Sequence, residues 1–429
     1  MSAKTPYSIN EVQKLNDAAI HQQAIKFVWL QAILGFCAVA TILLPAHPSL
    51  QTVFSKYDLP AELIAIIFFA PVICGAFTKR ISTAGNLSIV YFLFCYIAWM
   101  LFRSITSPAL GDENNIASLK SVLILIPLAT MCALVGARYS RYSARVVGVI
   151  GIIAFFHYYA LHFMDGQLGA EASFRSLSSV SGYENYQATS FYVGIVGVLM
   201  ASLAALSSGR IMLLSAAGLL LMLLIMSTIG ARSAIVALIV SVTTIFIFAG
   251  LSKTMRISVV IGSIVFVGIS IGSMYGYFNM EVTQQYLTVI DRFTILAEGG
   301  DPSQRLRLFA SAIDMWFYSV SNFLIGGGVG AYPLFIGEVG GGWYPHNFIL
   351  ESFAEGGLIA GFFLICILFK LFEKLRAVML QKSSFESVFL GALAVYALVS
   401  YQFMGGVQTL WTPVFFIALF LFSPARQGK

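Results

Sequence analysis

The stretch Ile211–Leu251, IMLLSAAGLLLMLLIMSTIGARSAIVALIVSVTTIFIFAGL, decides the topology of the whole chain. It consists of two apolar runs that meet at Gly230-Ala231-Arg232. A helix needs about 20 mostly apolar residues to cross a bilayer, so the stretch could form one long helix or two consecutive spans. The two interpretations place every later segment on opposite sides of the membrane, and the charges in the rest of the chain distinguish them.

The composition indicates that lipid is the solvent for most of this chain. Of its 429 residues, 59% are hydrophobic and 10% are charged, whereas a soluble domain carries about 25% charged residues. The formal charge of +6 does not indicate nucleic-acid binding, because the basic residues lie in short clusters between apolar runs. Twelve runs are long and apolar enough to span a membrane: 25–45, 61–78, 86–104, 118–137, 145–164, 188–207, 211–230, 233–251, 257–277, 348–370, 384–403 and 406–423.

The distribution of Lys and Arg favours two spans in the opening stretch. With the N-terminus in the cytoplasm, the even-numbered connections and the termini contain most of the 25 basic residues, as the positive-inside rule requires. One helix across 211–251 would put the Lys370–Lys382 cluster outside. We therefore predict an all-α integral membrane protein with about twelve spans and both termini in the cytoplasm. Its predicted segments are a tail (1–24), nine spans (25–277), a large structured exterior loop (278–347), three spans (348–423) and a second tail (424–429).

Eight basic residues lie on the exterior side in this topology, and most of them require an explanation. Arg103 and Lys120 flank spans, so we expect their side chains to snorkel toward lipid headgroups. Arg232 lies in a very short turn between two apolar helices, where an ionisable residue is either functional or part of a structural ion pair. The full set is Lys56, Arg103, Lys120, Arg175, Arg232, Arg292, Arg305 and Arg307.

The exterior loop is long enough to be functional, and its sequence predicts structure. Asp301-Pro302-Ser303 is a helix-start signal. Apolar side chains then recur at three- and four-residue spacings through Gln304–Val320, which predicts an amphipathic helix on the membrane or on the bundle. Glycine-rich turns follow at 326–330 and 340–342. The apolar positions of the predicted helix are Leu306, Phe309, Ile313, Trp316, Phe317 and Val320.

Among the five histidines, His346 has the surroundings that best suit catalysis. It follows Trp343 and Tyr344, precedes Asn347, and lies where the exterior loop enters the tenth span. Imidazole titrates near working pH, so His346 is suited to act as a general base. The start of a helix also favours an anion. The two aromatic rings could stack on sugars, or they could be belt residues of a membrane interface.

The sequence contains no HExxH, no paired CxxC and no DxD motif. The last absence weakens a metal-assisted nucleotide-sugar transferase interpretation. What remains is His346 together with several exterior arginines. Because the guanidinium group is planar and permanently charged, it matches phosphate oxygens. This combination is therefore suited to binding a phosphorylated substrate.

The segment HNFILESFAEGGLIAG (His346–Gly361) resembles a signature shared by O-antigen ligases, O-antigen polymerases and protein O-oligosaccharyltransferases. In that signature a His-Asn pair is followed, after nine residues, by a glycine, which here is Gly357. A small residue comes shortly after, and here it is Ala360 with Gly361 beside it.

Further elements of the same superfamily are matched upstream. Ser303–Phe309 and Gly326–Gly328 resemble its Arg-Leu-x-Leu-aromatic element and its Gly-rich turn, and Arg232 resembles an arginine at the exterior start of a span. The resemblance covers about residues 225–365, and the first half of the chain matches only in topology.

The resemblance implies a lipid-dependent glycosyltransferase of GT-C-like architecture in the inner membrane of a Gram-negative bacterium. A glycan would move from undecaprenyl pyrophosphate to a sugar hydroxyl on the periplasmic side, without nucleotide, metal or other cofactor. His346 would be the general base, and Arg232 and Arg305 would hold the pyrophosphate. Arg307 is the rival of Arg305, and residues two apart on a helix point about 200° apart, so one of them is expected to enter the site. Further substrate contacts are expected from Trp343, Tyr344, Asn347, Arg175 and Asn185.

Within the superfamily the acceptor separates the alternatives. A ligase that joins O-antigen to lipid A–core oligosaccharide is favoured, because the chain ends soon after the twelfth span without the periplasmic extension expected for protein acceptors. An O-antigen polymerase and a protein O-oligosaccharyltransferase stay open. Inversion at the anomeric carbon is inferred because no obvious carboxylate nucleophile accompanies His346, although Glu338, Glu351 and Glu355 keep retention open. The alternative of another class is a lipid-linked glycan transporter, against which no two-half repeat is evident.

Overall fold

The computed structural model describes residues 28–44, 67–73, 87–164, 185–229, 232–248, 305–338, 343–380 and 384–424. All regular secondary structure in these ranges is helical. Five of the described helices are long and apolar enough to cross a membrane, which agrees with the predicted class. The helices are α1 (Val28–Leu43), α2 (67–73), α3 (Leu87–Ile105), α4 (Glu113–Lys120), α5 (Ile126–Arg138), α6 (Ser140–Met164), α7 (Asn185–Leu206), α8 (Gly209–Ile229), α9 (Arg232–Phe248), α10 (Arg305–Phe317), α11 (Val320–Ile325), α12 (Tyr332–Phe335), α13 (Phe348–Leu380), α14 (Phe385–Met404) and α15 (Trp411–Phe422).

The described helices follow the apolar runs of the sequence. The opening stretch forms two helices, α8 and α9, as the charge distribution predicts. A π-helical turn at Ser121–Leu125 joins α4 to α5, so one apolar segment extends over Glu113–Arg138. The predicted ninth span, 257–277, and the first part of the exterior loop lie outside the described residues. The total of twelve spans and the orientation therefore stay predictions.

Large apolar side chains on the outer faces of several helices are exposed, as lipid contact requires. Phe94 on α3, Leu214 on α8 and Phe369 on α13 are 66%, 73% and 59% exposed. A soluble protein does not present this many large apolar groups over whole helix faces. Inside the bundle, α9 packs on α14 and α7 packs on α8, with small residues at the closest approaches.

Helix α13 is broken at Gly357, which has φ 69° and ψ −168°. The positive φ is a conformation that glycine adopts at low cost and that other residues avoid. The break leaves three backbone carbonyls without partners in the helix, and other segments satisfy all three. Gly327 N–H donates to Ala354 O (2.9 Å), Gly328 N–H to Glu355 O (3.0 Å) and Trp99 Nε1–H to Gly356 O (2.7 Å).

The break folds the first part of α13 back beside the second. Phe348 and Leu364 line the same apolar cavity, although a straight helix would separate them by about 24 Å. The ring of Phe353 occupies the place where a Cβ on Gly361 would stand. We name the two parts α13N (348–356) and α13C (358–380). The start of α13N therefore lies against the bundle and not at the far tip of a straight span.

Helices α10 to α12 form a cap that covers α13N, and α10 is apolar on two sides. Leu308, Ala312 and Met315 are buried against α13 and Tyr332. Of the predicted apolar stripe, Ile313, Phe317 and Val320 are exposed. The predicted helix is present as Arg305–Phe317, and periodicity alone does not show which of its two apolar sides meets protein.

Candidate functional site

His346 occupies a strained position immediately before α13N. Its φ is 55°, the one positive value among the described non-glycine residues, and this region is unfavourable for residues with a Cβ. Asn347 then starts the helix, because its Oδ1 accepts the N–H groups of Ile349 (3.1 Å) and Leu350 (3.0 Å). This N-cap is a structural role for Asn347, beside the substrate contact that the sequence predicts for it.

Tyr344 forms one wall around His346. The two ring centroids are 4.1 Å apart and the planes are inclined at 49°. The Tyr344 hydroxyl donates a weak 3.5 Å hydrogen bond to Met404 O at the end of α14. Gly406 lies against both the Tyr344 ring and the Glu351 carboxyl group, since a Cβ there would come closer than 3.0 Å to each. The connection between α14 and α15 therefore packs directly on the histidine's surroundings.

Arg305 is the cation that acts on His346. Burial lowers the pKa of His346 to about 4, and the positive charge of Arg305 adds to this effect. The imidazole is therefore neutral at pH 7, the form that accepts a proton. Its Nδ1 is buried and, within the described part of the chain, has no hydrogen-bond partner. A neutral ring with an unused nitrogen is what a general base needs before substrate arrives.

Arg307 points elsewhere, as the helical spacing predicts. Its side chain is exposed, and its charge acts on the phenol of Tyr332 and not on His346. Burial raises the pKa of Tyr332 to about 12, while a hydrogen bond with Ser311 and the charge of Arg307 oppose the shift. Of the two arginines, Arg305 is the one whose charge acts on His346.

The start of α9 lies on the same side of the bundle as His346. Ser233, the residue after Arg232, donates a hydrogen bond of 3.9 Å to Sδ of Met404, and the carbonyl of Met404 contacts Tyr344. The side chain of Arg232 itself is not among those described. Trp343 is half-buried and packs on the cluster of Tyr332 and Leu308.

The side chains of two residues that were predicted to contact the donor, Arg175 and Asn185, are not described by the structure. Arg175 lies outside the described residues, and Asn185 begins α7 without a described side chain.

The sequence prediction for Arg103 is wrong. Arg103 is 8% exposed and does not snorkel. Its Nη2 donates to Gly326 O at 2.8 Å, so it holds the glycine-rich turn against the end of α3. Asn115 supports the same turn by donating from Nδ2 to Val329 O at 2.7 Å. The sequence contained a signal for this role, because the predicted topology places Arg103 at the exterior end of an apolar helix, against the charge bias.

Two carboxyl groups one turn apart on α13N are buried in the site region. Glu351 is 3% exposed and its Oε2 accepts the N–H of Val407 at 3.0 Å. Glu355 is 1% exposed, and its Oε2 has no partner within the described residues. Acidic residues four apart in an apolar helix indicate a functional role in a membrane protein. The sequence had suggested both only as rival nucleophiles.

No family model matches the chain, and no curated protein matches it either. Within the described residues, no group of three or more His, Cys, Asp or Glu side chains is arranged to hold a metal ion.

Proposed function

We propose that this protein is an inner-membrane glycosyltransferase that moves O-antigen from undecaprenyl pyrophosphate to a sugar hydroxyl of lipid A–core oligosaccharide. The observation that carries the proposal is the neutral His346 ring, with its unpartnered Nδ1, packed against Tyr344 and subject to the charge of Arg305. A base in the field of a cation suits a reaction in which a hydroxyl attacks and a phosphate group leaves. The unconfirmed resemblance of His346–Gly361 to the O-antigen ligase signature supports the substrate class.

The proposed reaction is a single displacement. The acceptor hydroxyl gives its proton to His346 as its oxygen forms a bond to the anomeric carbon. The bond from that carbon to the pyrophosphate oxygen breaks, and the electron pair leaves with the pyrophosphate. Arg305, with Arg232 as a second predicted partner, stabilises the charge that develops there. The product is the inverted glycoside, and the proton departs from His346 afterwards.

The charge of Arg305 links donor binding to base strength. In the empty site, burial and Arg305 keep the pKa of His346 near 4, too low for a strong base. A bound pyrophosphate offsets the charge of Arg305, so the pKa of His346 rises toward the working pH. A general base is most effective when its pKa lies near that pH. Donor binding would therefore activate the histidine.

The proposed architecture is a GT-C-like bundle of about twelve spans with both termini in the cytoplasm and the cap α10–α12 in the periplasm. The positions of Lys and Arg support this orientation. The bend at Gly357 is consistent with it, because it directs the start of α13N and His346 back against the bundle.

The acceptor is tested in the cell by deleting the gene. A ligase mutant accumulates complete O-antigen on its lipid carrier while lipid A–core stays unmodified. Accumulation of single repeat units would identify a polymerase instead. Loss of the glycan from a protein acceptor would identify a protein glycosyltransferase. Complementation with His346→Asn separates a catalytic role from a transporter, because a transporter with no chemistry would still function with that variant.

A further inference from the structure

The cap helix α10 is held at its two ends by different kinds of contact. At its C-terminal end, the Trp316 ring packs on Phe353 of α13N with 4.5 Å between the ring centroids. Eleven residues separate Trp316 from Arg305, which is about 16 Å along a helix. The aromatic contact therefore fixes the far end of α10, and something else has to fix the end that carries Arg305.

The contact at the Arg305 end is polar and passes through Tyr332. Its hydroxyl donates to the carbonyl oxygen of Leu308 at 2.9 Å, one turn after Arg305. Tyr332 is 0% exposed, so the bond does not compete with water. A buried hydrogen bond to a backbone carbonyl is directional, whereas the surrounding apolar contacts of Leu308 and Ala312 are not.

Glu355 connects Tyr332 to α13N, the element that positions His346. Its Oε1 accepts the N–H of Tyr332 at 3.4 Å, and its backbone carbonyl accepts the N–H of Gly328 at 3.0 Å. Both the side chain and the backbone of Glu355 therefore hold segment 326–332. A continuous set of contacts leads from α13N through Glu355 and Tyr332 to the first turn of α10.

We propose that Glu355 and Tyr332 are positioning residues that fix the distance between Arg305 and His346. Neither group touches the reacting atoms in this assignment. Their effect on turnover rests on the proposed function, whereas their effect on the electrostatics of His346 does not. The charged and titratable groups that face this connection are Arg305 and Arg307 from α10, Glu351 from α13N and Tyr96 from α3.

The test compares two tyrosine variants that remove the same chemical group. Tyr332→Phe removes the bond to Leu308 O, together with the hydrogen bond to Ser311 on the same helix, and leaves the ring in place. Tyr192→Phe is the matched control, because Tyr192 is also buried and its hydroxyl also donates to a backbone carbonyl, Leu43 O, at 2.6 Å. That bond joins α7 to α1, away from the cap.

The first measurement is the pKa of His346, obtained from the pH dependence of its modification by diethyl pyrocarbonate in the full-length protein. Peptide mass spectrometry separates His346 from the other histidines. In Tyr332→Phe the pKa rises toward 6.5, in the same direction as in Arg305→Gln, while Tyr192→Phe keeps the wild-type value. The positioning role is overturned if Tyr332→Phe keeps the wild-type pKa, or if both tyrosine variants shift it equally.

The second measurement is glycosyl transfer. Tyr332→Phe lowers kcat about fivefold to tenfold, the scale of one buried hydrogen bond, with little change in the KM of the acceptor. Glu355→Gln keeps an acceptor oxygen and loses less than Glu355→Leu. If the wild-type protein transfers no glycan but the pKa of His346 still moves in Tyr332→Phe, the proposed function fails and the positioning role stands. Normal turnover in Tyr332→Phe, with an active wild type, contradicts the positioning role.

Discussion

The packed bundle of α7, α9 and α14 and the site region formed by α10–α13N use different groups to make their buried hydrogen bonds. In the bundle, hydroxyl groups donate to backbone carbonyls of the same helix or of a neighbouring one, as Ser202 Oγ does to Val198 O (2.8 Å) and Ser241 Oγ does to Ala392 O (2.6 Å). In the site region, charged side chains also take part, since Arg103 Nη2 donates to Gly326 O and Glu351 Oε2 accepts the N–H of Val407.

The unsatisfied buried atoms follow the same division. Most of the buried polar atoms without partners in the described residues lie in or beside the site region: Arg103 Nε, Asn115 Oδ1, His346 Nδ1 and Glu355 Oε2. The bundle contributes Ser400 Oγ. Unpaired buried groups and a strained φ cost stability, so a region that keeps them is the region where binding and chemistry are expected.

The largest expected effect is on catalysis, from His346→Asn. Asparagine tolerates a positive φ better than most residues, so the backbone of this position is preserved while the base is removed. We expect turnover to fall about 10²- to 10⁴-fold with an unchanged thermal unfolding temperature. Steady-state transfer kinetics and differential scanning fluorimetry measure the two quantities. Turnover within a few-fold of wild type would remove His346 from the mechanism.

Arg305→Gln and Arg307→Gln separate the two arginines of α10. We expect Arg305→Gln to lower kcat about 10²-fold or more, as for other losses of charge stabilisation at a leaving group. Arg307→Gln, on the exposed side, should change it little.

The pH profile of kcat/KM gives a second measure of the same pair. His346 must be neutral to act, so activity of the free enzyme is lost as pH falls through its pKa, about 4. Removing the charge of Arg305 raises that pKa, and the acidic limb moves to higher pH. The expected shift of the acidic limb is partial, because burial lowers the pKa of His346 more than the charge of Arg305 does. An equal shift in Arg307→Gln would contradict the assignment.

Gly357→Ala tests the bend, with Gly209→Ala as its control. Both glycines have a similar positive φ, 69° and 61°. A Cβ on Gly357 would collide with the backbone of Leu324 and Gly326, while one on Gly209 would meet nothing within 4 Å. We expect Gly209→Ala to cost about 1 kcal/mol of unfolding free energy. Gly357→Ala should cost several times more, as measured by thermal unfolding in detergent. Equal losses of unfolding free energy in the two variants would show that the backbone of residues 324–326 does not pack against Gly357.

The smallest expected effect comes from Tyr344→Phe. The hydroxyl bond to Met404 O is long, 3.5 Å, and contributes little, whereas the ring packs on His346. We expect turnover within about twofold of wild type for Tyr344→Phe and a larger loss for Tyr344→Ala. A large loss in the phenylalanine variant would give the hydroxyl a direct role.

The sequence predicted the features that depend on local pattern. Apolar runs located the described helices, and the division of α8 from α9 followed from the positions of basic residues. The two-residue spacing of Arg305 and Arg307 predicted that they would diverge. The choice of His346 came from its neighbours and from the resemblance of its segment to a family signature.

The features that the sequence did not predict depend on contacts between distant segments. The fold-back at Gly357 requires the turn at Gly326–Gly328 to satisfy the broken helix, and periodicity carries no information on that pairing. For the same reason Arg103 was interpreted as a headgroup contact, and periodicity did not show which side of α10 packs on α13N. Tyr332 gave no signal at all, since its role arises from packing between Glu355 and Leu308.

The most direct test of the central claim is reconstitution of the purified protein in vesicles with lipid-linked O-antigen and lipid A–core, in the presence of a chelator. The account predicts that wild-type protein attaches the glycan to lipid A–core and that His346→Asn binds the donor without transferring it. Absence of transfer by wild-type protein that binds both lipids, or transfer by His346→Asn at the wild-type rate, would contradict the account.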